Sequence, residues 1–249
     1  MSLSVSPSVD RPTLPEGHLL YAVGDIHGRL DLLEAILELI EADARTSGHA
    51  ERRTLVFLGD YVDRGSDSRG VVERLIGGFP QGFEAHFLKG NHEAILLNFL
   101  DDAWSLDNWL VNGGEATMLS YGVDTERLDR LGAPSEAGRQ PFAAVLPEAH
   151  LRFFKSLQLS VAFGDFIFVH AGVKPGVPLA AQTEADLIWI RDPFLDYAGP
   201  FDKIVVHGHT PGKQPVIRSN RIGIDTGAVF TGRLTALRLQ GGSGKFLQT

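Results

Sequence analysis

Six side chains in this sequence have the types and the placement to hold metal: Asp25, His27, Asp60, Asn91, His170 and His209. They are two carboxylates, three imidazoles and one amide oxygen, with no sulfur, a donor set that suits borderline or hard divalent ions such as manganese, iron or zinc. Six ligands exceed what one tetrahedral site uses, whereas two ions about 3.5–4 Å apart that share a carboxylate would engage all of them. Asp60 is the natural bridge, because its strand lies between the other two by chain order. Paired cations would lower the pKa of a shared water from about 16 to near 7 and so present hydroxide at neutral pH. Each residue taken alone carries little weight, since a Gly-Asp after a strand is usually a turn and a lone histidine is usually structural. The coincidence of six carries the reading. His18, His49, His86 and His150 fall outside the pattern, and His207, though next to His209, points to the opposite face if its strand continues.

The elements that must position these residues are legible from apolar runs that stop abruptly at a glycine followed by a polar residue. The run 19–23 ends at Gly24-Asp25, the run 54–58 at Gly59-Asp60, and the run 85–88 passes through Lys89 to Gly90-Asn91. Between the first two, Leu30, Leu33, Ile36, Leu37 and Ile40 recur at helical spacing; Val71, Val72, Leu75 and Ile76 do so between the second and third. Strand, helix, strand, helix, strand describes βαβ units with right-handed crossovers, hence parallel strands whose carboxyl ends face one way. Ligands of open α/β sheets bind outside those ends. The middle, 100–146, has weaker periodicity and reads as a helical insertion capping the site. A helix over 147–157, a hairpin of 159–163 and 166–169, a strand over 203–206 and a closing meander of 215–218, 221–224 and 234–239 complete the expectation. Residues 1–17 read as a flexible tail, and 18–249 as a single domain.

Composition narrows the chemistry. The chain has 249 residues, 43% of them hydrophobic, with no cysteine, which excludes disulfides, zinc-thiolate sites, iron-sulfur clusters and a cysteine nucleophile. Net charge is −8, with no basic run longer than Arg52-Arg53, which argues against a nucleic-acid partner. An acidic protein that handles phosphate must find positive charge locally, in a few arginines or in bound metal. No apolar stretch approaches the roughly 20 residues needed to span a bilayer, and the first residues lack the pattern of a secretory signal. A cytoplasmic monomer with no membrane contact is expected.

The blocks Gly24-Asp25-Ile26-His27-Gly28, Gly59-Asp60-Tyr61-Val62-Asp63-Arg64-Gly65, Gly90-Asn91-His92-Glu93, His170-Ala171-Gly172 and Gly208-His209-Thr210 resemble, in order and spacing, the calcineurin-like metallophosphoesterase superfamily. The second block, with Asp63 and Arg64, is similar to the phosphoprotein phosphatase branch of bacterial type. The resemblance implies an α/β metallophosphoesterase fold of central mixed sheets packed as a sandwich and flanked by helices. It also implies two divalent ions, most readily Mn²⁺, with Fe or Zn as alternatives. Asp25, His27 and Asp60 would hold one ion, and Asp60, Asn91, His170 and His209 the other. His92 would be the general acid, oriented by Asp63, while Arg64 and Arg191 would clamp phosphate oxygens. The implied activity is hydrolysis of phosphoserine or phosphothreonine proteins, with phosphotyrosine open, by direct in-line attack of the bridging hydroxide. Its rival is hydrolysis of dinucleoside polyphosphates such as diadenosine tetraphosphate. That branch lacks the aspartate at position 63 and runs on into Gly-Pro, whereas this chain continues Gly65-Ser66, which sets the expectation on the protein phosphatase. A third possibility, a non-catalytic metal-binding scaffold, is disfavoured by the complete ligand set.

Overall fold

The computed structural model describes residues 12–48, 50–79, 82–125 and 135–249; His49 and residues 1–11 lie outside these. Strand β1 (His18–Val23) is buried along its whole length, as a strand covered on both faces must be. Its side chains alternate between two cores: Leu19, Tyr21 and Val23 face one, Leu20 and Ala22 the other. Helix α1 (Leu30–Thr46) follows and buries Leu33, Ile36, Leu37 and Ile40 of the expected stripe together with Leu32, while Leu30 is only partly buried against the same core. Strand β2 (Arg52–Phe57), helix α2 (Ser68–Ile76), strand β3 (Phe83–Phe87) and helix α3 (Asn91–Asp101) repeat the unit. The pairings β1–β2 and β2–β3 are both parallel, so β2 lies between β1 and β3, with Asp60 in the loop beyond its carboxyl end. Ile76, expected in the inward stripe of α2, is 41% exposed because the helix ends there at Gly77.

The insertion carries helices α4 (Leu106–Val111), α5 (Gly114–Ser120) and α6 (Ser135–Val145) among its described residues. Trp109, Met118, Tyr121 and Phe142 from it pack into the same core as α1 and α2. Helix α7 (Glu148–Ser156) leads to the hairpin of β4 (Ser160–Phe163) and β5 (Phe166–Val169), as expected. Two short helices, α8 (Glu184–Trp189) and α9 (Asp192–Leu195), precede β6 (Ile204–His207).

The closing meander does not form. Strands β7 (Val216–Ile217) and β8 (Arg221–Gly223) join the second sheet, in the order β4-β5-β6-β8-β7. After the short helix α10 (Ala228–Thr231), strands β9 (Thr235–Gln240) and β10 (Ser243–Gln248) join the first, in the order β10-β9-β1-β2-β3. The physical reason is burial: Leu237 and Leu239 fill the core between the sheets together with Leu20, Val56, Phe168 and Val206. The segment from Ile224 to Leu234 therefore crosses from one layer to the other at the carboxyl edge. The result is helices, sheet, sheet, helices, a mixed sandwich. The expected tail reaches only partway: Leu14 is buried among the inter-sheet residues, and Thr13 N–H donates to the Asp165 carboxylate. Among the described residues no helix is long and apolar enough to cross a membrane.

Candidate metal centre

The loops after β1, β2 and β6 deliver His27, Asp60 and His209 through backbone bends that only a few residues tolerate. Among the described residues, the non-glycine positions with positive φ are His27 (47°), Asp60 (51°), Asp63 (71°), Arg64 (68°) and His209 (62°). His27, Asp60 and His209 were singled out on chemistry from the sequence, and Asp63 and Arg64 by the family resemblance. Such conformations cost about 1–3 kcal/mol each and persist where the surroundings over-determine them. Here they do: Glu93, fully buried, accepts the N–H groups of Asp60 (3.0 Å), Tyr61 (2.7 Å) and Gly90 (2.9 Å) on one carboxylate. Asp25 accepts the N–H of His209 at 3.0 Å. The glycines of the motifs serve the same packing, for a Cβ at Gly90 would collide with Asp60 Oδ1 and one at Gly208 with Asp25 Oδ1.

Asp60 sits at the middle of the cluster with its two oxygens facing opposite ways. Oδ2 lies 3.5 Å from His27 Nε2 and 3.9 Å from His92 Nε2, while Oδ1 lies 3.4 Å from His170 Nε2. Two donor groups follow, His27 with Asp60 and His92, and Asp60 with His170 and His209. Asn91 joins the second through Oδ1, 3.0 Å from His170 Nε2. Asp25 belongs to neither group by distance, because its carboxylate is turned to the His209 backbone. Arg64 reaches the first group, with NH1 2.8 Å from His27 Nε2. Arg191 caps α9, and its charge lowers the proton affinity of His170 and His209. It forms no ion pair with Asp192 or Asp196 in the structure.

The donor set fits a divalent cation, on two observations. The Nδ1 atoms of His27 and His170 each face a backbone carbonyl, Val62 O and Leu58 O, both at 2.9 Å. That contact places the proton on Nδ1 and leaves the Nε2 lone pair aimed inward. Nε2 of His170 then meets Asn91 Oδ1 at 3.0 Å, His209 Nδ1 at 3.2 Å and Asp60 Oδ1 at 3.4 Å, so oxygen and nitrogen ligand atoms converge on one point. Second, burial pushes the Asp25 carboxyl well above the usual range, with the Asp225 and Asp60 charges adding to it. Burial likewise brings Asp225 to about 6 and Glu93 to about 7. His27 and His209 are driven the other way by burial, to about 3, and so stay neutral. Buried acids that resist ionisation beside neutral imidazoles describe a site completed by positive charge.

His92 differs from the other imidazoles. Its Nδ1 bonds to Asp63 Oδ2 at 2.7 Å, and Asp60 and Asp63 together raise its pKa although burial, the largest influence, lowers it. Asp63 is in turn held by residues that sequence reasoning missed: Thr117 Oγ1 donates to Oδ1 at 2.6 Å and Trp109 Nε1 at 3.0 Å. Nothing in an insertion of weak periodicity marks Trp109 and Thr117 as site residues. Glu93, quoted only as part of a motif block, was missed as well; a glutamate at the third position of a helix, half of a capping box, is the signal that could have marked it. His207 points away from the centre, into contact with Phe194 and Arg221.

Convergent acceptor groups at the carboxyl edge of an α/β sandwich, with arginines beside them, define a metal-dependent phosphoester hydrolase. The chain belongs to the calcineurin-like phosphoesterase family, whose model matches residues 18–233. It is 28% identical over 237 residues to the asymmetrical bis(5'-nucleosyl)-tetraphosphatase PrpE of Bacillus velezensis, covering 87% of each chain. The enzyme of the same name from Halalkalibacterium halodurans is 28% identical over 235 residues, covering 87% of this chain and 88% of its own. A solved structure provisionally described as a diadenosine tetraphosphatase superposes with a TM-score of 0.61 at 22% identity, over 98% of this chain and 96% of that one. A cold-active protein-tyrosine phosphatase of a Shewanella species gives 0.55 at 15% identity, over 94% and 83%, and with the former shows the shared fold.

Proposed function

We propose that this protein hydrolyses dinucleoside tetraphosphates, with two divalent cations, Mn²⁺ foremost, held by Asp25, His27 and Asp60 on one side and Asp60, Asn91, His170 and His209 on the other. The observation that carries the metal chemistry is Asp60, whose oxygens face separate donor groups. Similarity to the two curated tetraphosphatases over nearly their full length supports the substrate reading, and it reverses the preference that Asp63 set from sequence. Cations bound there supply Lewis acidity and activate water at neutral pH. Arg64 and Arg191 hold the equatorial phosphate oxygens by bidentate hydrogen bonds. His92, kept protonated by Asp63 and Asp60, gives its Nε2 proton to the leaving phosphate oxygen. Glu93 fixes the Asp60 loop, so the bridging carboxylate does not rotate as charge develops. Distance alone admits His92 as a ligand in place of Asp25; the Asp63 contact favours the acid role.

A protein phosphatase remains the second reading, favoured by the His92–Asp63 pair at 2.7 Å. The test is Mn²⁺-dependent turnover of diadenosine tetraphosphate and of a phosphothreonine peptide side by side. Faster cleavage of the dinucleotide, with ATP and AMP as products, is expected. Faster cleavage of the peptide overturns the substrate reading and leaves the metal chemistry standing.

A further inference from the structure

A single exposed apolar side chain is ordinary on a protein surface, and Trp104, 83% exposed, needs no explanation. Phe230 is different in two respects. It is 71% exposed at the rim of the metal centre, and the Arg64 guanidinium lies 5.9 Å from its ring centroid, within cation–π range. The same guanidinium touches His27, so one arginine links the ring to the centre. Its backbone is also held firmly. Helix α10 lies between Gly227 (φ 64°) and Gly232 (φ 69°), both left-handed, and the Phe230 N–H donates to Gly227 O at 2.8 Å. Thr231 Oγ1 donates to Thr226 O at 2.8 Å, and Arg29 NH1 donates to Ala228 O at 3.1 Å. A large apolar ring kept in water on a pinned turn, next to a phosphate-clamping arginine, is a preorganised stacking surface.

We infer that Phe230 is the platform for the nucleobase nearest the scissile phosphate, its ribose bridging from the phosphate on Arg64 to the base on the ring. The inference rests on the dinucleotide reading and extends it to a base subsite. Stacking on an aromatic face tolerates any base, so the subsite accepts adenine and guanine alike and selects for nucleotides over plain phosphoesters. Trp189, 44% exposed with its ring 6.3 Å from that of His209, marks the opposite side of the centre and serves as the comparison.

The experiment is calorimetric titration of the Mn²⁺-loaded protein with AMP and with ribose 5-phosphate, which differ only by the base. The wild-type protein is expected to bind AMP more tightly by about tenfold, the usual size of one base–aromatic stack. Phe230→Ala abolishes that ratio and Phe230→Tyr keeps it. With diadenosine tetraphosphate, Phe230→Ala raises KM more than it lowers kcat. A ratio that survives Phe230→Ala, is absent from the wild type, or disappears only in Trp189→Ala overturns the assignment. If the enzyme prefers the phosphopeptide while the AMP ratio still collapses in Phe230→Ala, the tetraphosphatase reading falls and the base platform stands.

Discussion

His92 and Asp63 form a pair in which geometry and proton affinity agree. Both are buried, their contact is 2.7 Å, and the carboxylates of Asp60 and Asp63 outweigh the desolvation that would strip the imidazole of its proton. The protonated form is the one that can give a proton to a leaving oxygen, so activity is lost as pH rises through the His92 pKa. Because that pKa is raised, the alkaline limb of kcat/KM is expected above the range of an ordinary histidine. Asp63→Asn removes one of the two raising charges, and the limb is expected to move to lower pH; a limb that stays in place assigns it to another group. His92→Asn is expected to lower kcat by about 10²–10⁴-fold, the span of general acid catalysis, with bound metal retained at two ions per chain. Loss of one ion in that variant makes His92 a ligand rather than the acid.

The elements divide by how local their determinants are. The carboxyl ends of β1, β2, β5 and β6 and the start of α3 were legible because each ligand follows a short apolar run, and a strand's period and its stop are local facts. Chain order set Asp60 between the other two strand ends, and β2 does pair in parallel between β1 and β3. The closing strands were not legible, since which sheet receives a short apolar run depends on which core lacks volume, a property of the assembled layers. Nor was the grip of α4 and α5 on the acid pair, since Trp109 and Thr117 reach Asp63 from 46 and 54 residues away. That grip makes a specific expectation. Trp109→Phe keeps the ring contacts with Phe99 and Phe142, at 4.8 and 5.0 Å, but removes the N–H from the buried Asp63 carboxylate. A hydrogen bond to a charged group contributes about 1.5–3 kcal/mol, so denaturant unfolding should show a loss of that size. kcat should fall with it, because Asp63 loses a support of its orientation. Full activity with reduced stability would show that the insertion braces the fold without tuning the acid.

At the scale of the whole molecule, the fold surrounds Asp60, which burial pushes up but the neighbouring histidines hold below the usual carboxylate range, with groups that resist carrying charge. Asp225 and Glu93 have ordinary values of 3.8 and 4.5, raised by burial to about 6 and about 7, and Asp25 is likewise raised well above its ordinary value by burial and by its acidic neighbours. In the metal-free protein these carboxyls keep protons that the unfolded chain has already lost. A raised acid binds more protons folded than unfolded, so stability drains away as pH climbs from the unfolded values toward the folded ones. The slope is about 1.4 kcal/mol per pH unit for each proton retained. Divalent cations change this balance, because positive charge favours the ionised carboxylates that burial disfavours. The imidazoles do not compete: His27 and His209, at about 3, are already neutral across the working range. Binding at pH 5.5 must therefore expel protons from Asp225 and Glu93, whereas at pH 8 those two protons are gone before the cation arrives. Saturating Mn²⁺ stabilises the fold by about 2.7 kcal/mol at a hundredfold excess over its Kd, and the rise in Tm on adding a fixed concentration is expected to be larger at pH 8 than at pH 5.5. Thermal unfolding with and without chelator at the two pH values measures it. An equal rise at both would mean that the buried carboxyls are ionised before metal binds, and that the fold itself, rather than the cation, stabilises their charge.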